Sequence, residues 1–179
     1  MIYLMMIDSQ EDRDKFIIIY EKYCDAMIKY ANHILKDVHL SEDAVHESFV
    51  KIAKHIKKIG EVDTKETKSF IMIVTKNTAL DEYRKRTKNW ENEIFMDEEK
   101  YADLLVSKDS VDTEPENRVL HIIRNMDSKY SDLFLLKYVN KLSNKEIASV
   151  LKISEEAIRQ RLSRGKNIIE KQLEGMREQ

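Results

Sequence analysis

The sequence predicts an all-α protein: two small helical domains joined by an acidic linker, the second a four-helix domain with a helix-turn-helix. Three observations lead there. The 179 residues include one proline and three glycines, too few for the turns of a sheet protein. Apolar residues recur at spacings of three and four rather than two. The charge is segregated, because a basic, an acidic and a second basic stretch follow one another under a net charge of only −2. The first domain is placed at 1–88, the linker at 89–115 and the second domain at 116–179.

The elements follow in chain order. Asp8 to Asp14 is a polar, acidic helix entrance. Phe16, Tyr20, Tyr23, Met27, Tyr30, Ala31, Ile34 and Leu35 then mark one amphipathic helix, from about Glu11 to Lys36, with its aromatics in the core. Asp37 to Leu40 is expected to be a connection and Ser41 the next N-cap. Val45, Phe49, Ile52, Ala53 and Ile56 form the apolar stripe of a second helix, which leaves Asp43, His46, Glu47 and Val50 on another face. Lys57 to Lys68, with Gly60 and little periodicity, is expected to be a loop. A third helix carries Phe70, Ile73, Val74, Asn77, Leu80, Asp81 and Arg84 in register. Its far end, Thr75 to Lys88, has five positive and two negative residues, a net +3. Such an end either complements the helix dipole or meets a nucleic-acid backbone.

Trp90 to Glu116 changes character, with ten acidic and two basic residues and a net −8. It reads as a loosely ordered connector closed by Pro115, and its Trp90, Phe95 and Leu104 are apolar enough for part of it to pack. The second domain opens with Val119, Leu120, Ile123 and Met126 on one helix. Asp127 or Ser128 caps the next, with Tyr130, Leu133, Phe134, Leu136 and Tyr138 apolar and Lys137 expected in solvent.

Ser143 to Lys166 reads as two short helices around a tight turn. Ser143 and Glu146 make a capping box, and Ile147, Ala148 and Leu151 share a face. Ser154 caps a second helix with Glu155 and Glu156 in its first turn, where the dipole favours anions. Ile158 and Leu162 face inward, while Arg159, Gln160, Ser163 and Arg164 share the outward side. From Lys141 to Lys171 eight positives face four negatives, a net +4. In a helix-turn-helix the second helix enters the major groove. Arg159 and Arg164 can each meet a guanine bidentately or hold phosphate, and Gln160 suits adenine. Ser143, Lys145, Lys152 and Lys166 suit phosphates that set register.

Catalytic chemistry finds little support. His33, His39, His46, His55 and His121 lack a metal-ligand spacing such as H-E-x-x-H and read as surface histidines. Gly60, Gly165 and Gly175 are isolated, so there is no phosphate-cradling loop. No nucleophile–base pair follows from spacing. Neither a metal nor a cofactor is called for. Cys24, the single cysteine, reads as a small core residue of a protein in a reducing cytoplasm. The apolar start MIYLMMIDSQ lacks the basic flank and cleavage site of a signal peptide, and no apolar run approaches a membrane span.

DVHLSEDAVHESFVKIAKHI, FIMIVTKNTALDEYRKR and LFLLKYVNKLSNKEIASVLKISEEAIRQRLSRGKNIIEKQL, in this order around an acidic linker, resemble bacterial extracytoplasmic-function (ECF) sigma factors over nearly the whole chain. The resemblance implies a non-enzymatic subunit that binds core RNA polymerase, through its β′ clamp and β flap, and directs promoter recognition, melting and transcription initiation. It implies that Asp43, His46 and Glu47 dock on the β′ clamp, with His46 where the family usually has Gln. The loop Gly60 to Lys68 resembles the segment that captures a flipped base of the minus-ten element. Asn77, Thr78, Asp81, Arg84 and Arg86 match the helix that meets the same element. Arg159, Gln160, Ser163 and Arg164 match the face that reads the minus-thirty-five element. Many relatives are held by an anti-sigma factor, which the resemblance also implies as a partner. Lys152 stands where the turn commonly has Gly. A left-handed lysine costs roughly 1–2 kcal/mol, so that turn is expected to be strained or drawn differently. The residues alone also admit a stand-alone helix-turn-helix regulator, or a helical adaptor that binds only protein.

Overall fold

The computed structural model describes residues 2–86 and 115–176. The chain divides into two compact units, 1–107 and 108–179. No strand occurs among the described residues. The acidic stretch with Trp90, Phe95 and Leu104, and the basic residue Lys88, lie outside them.

Among its described residues the first unit is built on three α-helices, α1 (Gln10–Leu35), α2 (Val38–Lys54) and α3 (Lys65–Arg86), each packed on the other two. Local chemistry sets their ends. Ser9 Oγ accepts from the Asp12 N–H at 3.1 Å and caps α1, and Lys36 ends it in the left-handed conformation (φ 53°) with its N–H on Asn32 O. That abrupt stop brings α2 forward. Its N-cap is Asp37, whose Oδ1 accepts from the Leu40 N–H at 3.1 Å. Ser41, expected as the cap, instead lies buried inside the helix with its hydroxyl donating to Asp37 O. Asp37 intercepts the start one turn earlier, because a carboxylate beside a helix terminus also meets the dipole.

The core of this unit holds Phe16, Ile19, Met27, Phe49, Ile52 and the run Phe70 to Val74. That run is buried without a break because α3 lies against both α1 and α2. A helix covered on several sides shows no single apolar stripe. Its N-terminus comes earlier than expected: Lys65 to Lys68 are its first turn, with the Thr67 N–H on Thr64 Oγ1 at 3.2 Å. Only 59–64 remain irregular, after a 3-10 turn at Ile56–Lys58.

A 3-10 turn at Ile2–Met6 was not anticipated. Tyr3 from it is buried, with ring centroids 5.4 Å from Phe16 and 5.8 Å from Phe49. Its hydroxyl lies 2.6 Å from His46 Nδ1.

The second unit contains α4 (Pro115–Asn125), α5 (Ser128–Phe134), a π-helical turn (Leu135–Val139), α6 (Asn144–Leu151) and α7 (Glu155–Gly175). Pro115 opens α4 at a position where the missing N–H costs nothing. Asp127 caps α5. The core joins Ile122, Ile123 and Met126 to Phe134 and Ile169. Lys137, expected in solvent, is half-buried, with Nζ 2.8 Å from Asn144 Oδ1. The π turn re-aims it, since the Asn140 N–H reaches back five residues to Leu135 O. Gly165 is buried where α7 meets α5: a β-carbon there would stand 2.4 Å from Phe134 Cε2. Only a glycine permits that approach.

Candidate nucleic-acid interface

The helix-turn-helix forms from its own caps. Ser143 Oγ accepts from the Glu146 N–H at 3.2 Å, and Glu146 Oε2 accepts from the Ser143 N–H at 2.8 Å. Lys152 ends α6 in the left-handed conformation, with φ 51° and ψ 44°. The turn therefore has the geometry that glycine usually supplies, imposed on a lysine. Ser154 Oγ then accepts from the Ala157 N–H at 3.1 Å and starts α7.

One side of α7 is anchored by Ile158, Gly165 and Ile169, all buried, with Leu162 between them half-buried. This fixes which side faces out. Arg159, Gln160, Ser163, Arg164 and Lys166 are all exposed, as are Ser143 and Lys145 at the start of α6. Arg161, between Gln160 and Ser163 in sequence, is half-buried. Glu156 joins the outward set, a residue first read only as a dipole partner. Arg159 donates to Glu156 Oε2 from Nη2 at 2.8 Å and from Nε at 3.2 Å, and Gln160 Nε2 lies 3.4 Å from Oε1. The guanidinium holds the Glu156 carboxyl below the usual carboxylate range. Spacing contained this signal, because residues three and four apart on a helix are neighbours.

The end of α3 is less uniform. Arg84 and Arg86 are exposed. Arg84 Nη1 lies 3.4 Å from Asp81 Oδ1, and Arg86 Nη1 lies 3.6 Å from Asp37 Oδ2, across to the N-terminus of α2. Asn77 and Asp81 are half-buried, and Asn77 Nδ2 donates to Ile73 O at 2.8 Å. Thr78 is a correction. It is 1% exposed, its hydroxyl donates to Val74 O at 2.9 Å, and Lys51 Nζ donates to it at 2.9 Å. Position 78 lies under α2, so its side chain serves the helix contact and does not face outward.

On α2, Asp43 and His46 are exposed and Glu47 is half-buried, with Oε1 3.6 Å from Lys51 Nζ. The segment 59–64 is held from α1. Lys15 Nζ donates to Ile59 O at 3.0 Å, and Tyr23 Oη donates to Val62 O at 3.0 Å. Lys22 pairs with Asp63. Thr64 and Thr67 both donate to Glu61 O, at 3.0 and 2.7 Å. Among the described residues no group of three or more His, Cys, Asp or Glu side chains is placed to hold a metal. Likewise, none of their helices is long and apolar enough to cross a membrane.

Comparison with known proteins agrees with this division. Residues 19–89 match the model of Sigma-70 region 2, and residues 116–169 match that of Sigma-70, region 4. The ECF RNA polymerase sigma factor SigW of Bacillus subtilis (strain 168) is 27% identical over 171 residues, covering 90% of each chain. The RNA polymerase sigma factor SigZ of the same organism is 26% identical over 158 residues, covering 88% of this chain and 86% of its own. The ECF RNA polymerase sigma factor SigM is 24% identical over 140 residues. A stand-alone regulator would need only the second of the two matched regions. With both regions present in order, and relatives matched along most of their length, the chain belongs to the ECF sigma factors, which direct RNA polymerase to initiate transcription at specific promoters.

Proposed function

We propose that the two units divide the promoter between them, as residues 1–88 and 116–179 joined by the linker 89–115. Arg159, Gln160, Ser163 and Arg164 read the minus-thirty-five element in the major groove, while Ser143, Lys145 and Lys166 hold its phosphates. Asn77, Asp81, Arg84 and Arg86, with the loop after Gly60, take the minus-ten element. Asp43, His46 and Glu47 dock on the β′ clamp of core polymerase, and the second unit meets the β flap.

The observation that carries this reading is the exposed polar face of α7, set by the buried Ile158, Gly165 and Ile169. Each grip is small and holds DNA weakly by itself. Joined on one polymerase surface, the second contact gains from effective concentration. Melting is favoured when an unstacked base finds a protein site, which offsets an unstacking cost of roughly a few kcal/mol. The chain works in the cytoplasm, carries out no bond-making itself, and is held inactive by an anti-sigma factor that covers both units.

Reconstitution with core polymerase and a library of genomic fragments, followed by transcript sequencing, tests the assignment. Discrete start sites that share two spaced elements are expected. Arg159→Ala with Arg164→Ala should relax the upstream element only. Loss of the downstream element in that variant would reverse the assignment.

A further inference from the structure

The loop 59–64 has one glycine and no proline, so its own sequence does little to restrict its shape. Three of its carbonyls nevertheless accept side-chain hydrogen bonds. Ile59 O takes Lys15 Nζ at 3.0 Å, Glu61 O takes Thr64 and Thr67, and Val62 O takes Tyr23 Oη at 3.0 Å. Two of these ties come from α1, whose residues Lys15 and Tyr23 precede their partners by 44 and 39 positions. Tyr23 is 7% exposed: its ring belongs to the core while its oxygen ends on the loop. Burial pushes the phenol up, so it stays protonated and donates. The loop is thus shaped from beneath, while Glu61 and Asp63 remain exposed on it.

We propose that Tyr23 and Lys15 are positioning residues for promoter opening, holding the backbone of 59–64 in the shape that accepts an unstacked base. The inference rests on the assignment of this loop to the minus-ten element. A site for a flipped base gains from being formed beforehand, since ordering a loop on binding subtracts from affinity. Neither side chain touches DNA in this scheme, and both act through Ile59 and Val62.

The test uses holoenzyme and a promoter recovered from the genomic library. Tyr23→Phe removes one oxygen and keeps the ring, and Lys15→Met keeps the aliphatic stem. Each should weaken binding of the single-stranded minus-ten oligonucleotide about three- to tenfold, the worth of one hydrogen bond. Each should also slow opening, read from 2-aminopurine fluorescence, and speed amide exchange at 60–64. Affinity for core polymerase and for an upstream duplex should not change. Ile19→Val, which loosens the same core without removing a hydrogen bond to the loop, should leave oligonucleotide binding intact. Equal weakening by Ile19→Val would overturn the proposal in favour of a general stability effect. Replacing Glu61-Val62-Asp63 with Gly-Ser-Gly separates the two levels. If it leaves oligonucleotide binding unchanged, the loop assignment falls and the proposal with it. If it abolishes binding while Tyr23→Phe does not weaken it, only the positioning role is overturned.

Discussion

Arg159 and Glu156 hold one another across one turn of α7, with Nη2 2.8 Å from Oε2. Both side chains are more than half exposed, at 57% and 62%, so the pair adds little to stability. It holds the guanidinium against the Glu156 carboxylate on the exposed face of α7. Arg159→Ala is expected to cost about 1–3 kcal/mol of promoter discrimination if Arg159 reads a base. Glu156→Gln should act differently. It removes a negative charge from the exposed face of α7 proposed to meet DNA and frees the guanidinium, so non-specific binding by holoenzyme should rise and selectivity fall. Filter binding of promoter and random duplex across a salt series measures both. Unchanged selectivity in Glu156→Gln would show that the pair does not position Arg159.

The same contact predicts a direction in pH. The Arg159 guanidinium lowers the Glu156 pKa in the folded chain. The contact is therefore fully present above the ordinary glutamate range and is lost as pH falls through the depressed folded value. Carboxyl-carbon NMR should place the Glu156 midpoint below that of an ordinary glutamate, and Arg159→Ala should bring it back. A midpoint that ignores Arg159→Ala would mean the pair does not persist in solution.

Gly165 and Phe134 make the closest approach between α7 and α5. A methyl at position 165 meets the ring edge at 2.4 Å, so either the Phe134 ring or one of the two helices must shift. Gly165→Ala should destabilise the second unit by about 1–3 kcal/mol, the usual penalty of overpacking. Gly175→Ala, with nothing within 4 Å of the added carbon, should be neutral or slightly stabilising. Urea titration compares them, and a neutral Gly165→Ala would mean that Phe134 moves aside freely.

Three lysines, at 36, 141 and 152, occupy the left-handed region, with φ of 53°, 59° and 51°. Lys36 is the cleanest to test because it ends α1 and is not among the residues proposed to meet DNA. Lys36→Gly relieves roughly 1–2 kcal/mol of backbone cost, partly offset by the greater freedom of an unfolded glycine. A net gain of about 0.5–1 kcal/mol is expected, as a higher urea midpoint at unchanged slope. Lys36→Val should move the midpoint the other way.

Much of this molecule was legible in its residues because the forces are local. The caps at Ser143, Ser154 and Asp127, the stripe of α1, and the outward set on α7 all depend on neighbours within two turns. The family motifs were legible for the same reason. The misreadings share a different cause. Ser41 has the chemistry of a cap, but Asp37 lies one turn earlier and starts α2 first. Thr78 follows the polar Asn77 in sequence, yet the approach of Lys51 from α2 shows that it is inside.

The sequence by itself determined an all-α chain, its two-part organisation, the helix-turn-helix and the outward placement of Arg159 and Arg164. Hydrophobic period, capping chemistry and charge segregation are properties of adjacent residues, and they survive without knowledge of the fold. Only the tertiary structure decided that Thr78 is buried, that Tyr3 docks on His46, that Gly165 admits Phe134, and that Tyr23 donates to a loop 39 residues away. These depend on contacts between helices that are distant in sequence. Such contacts follow from how whole faces pack, which no local pattern records.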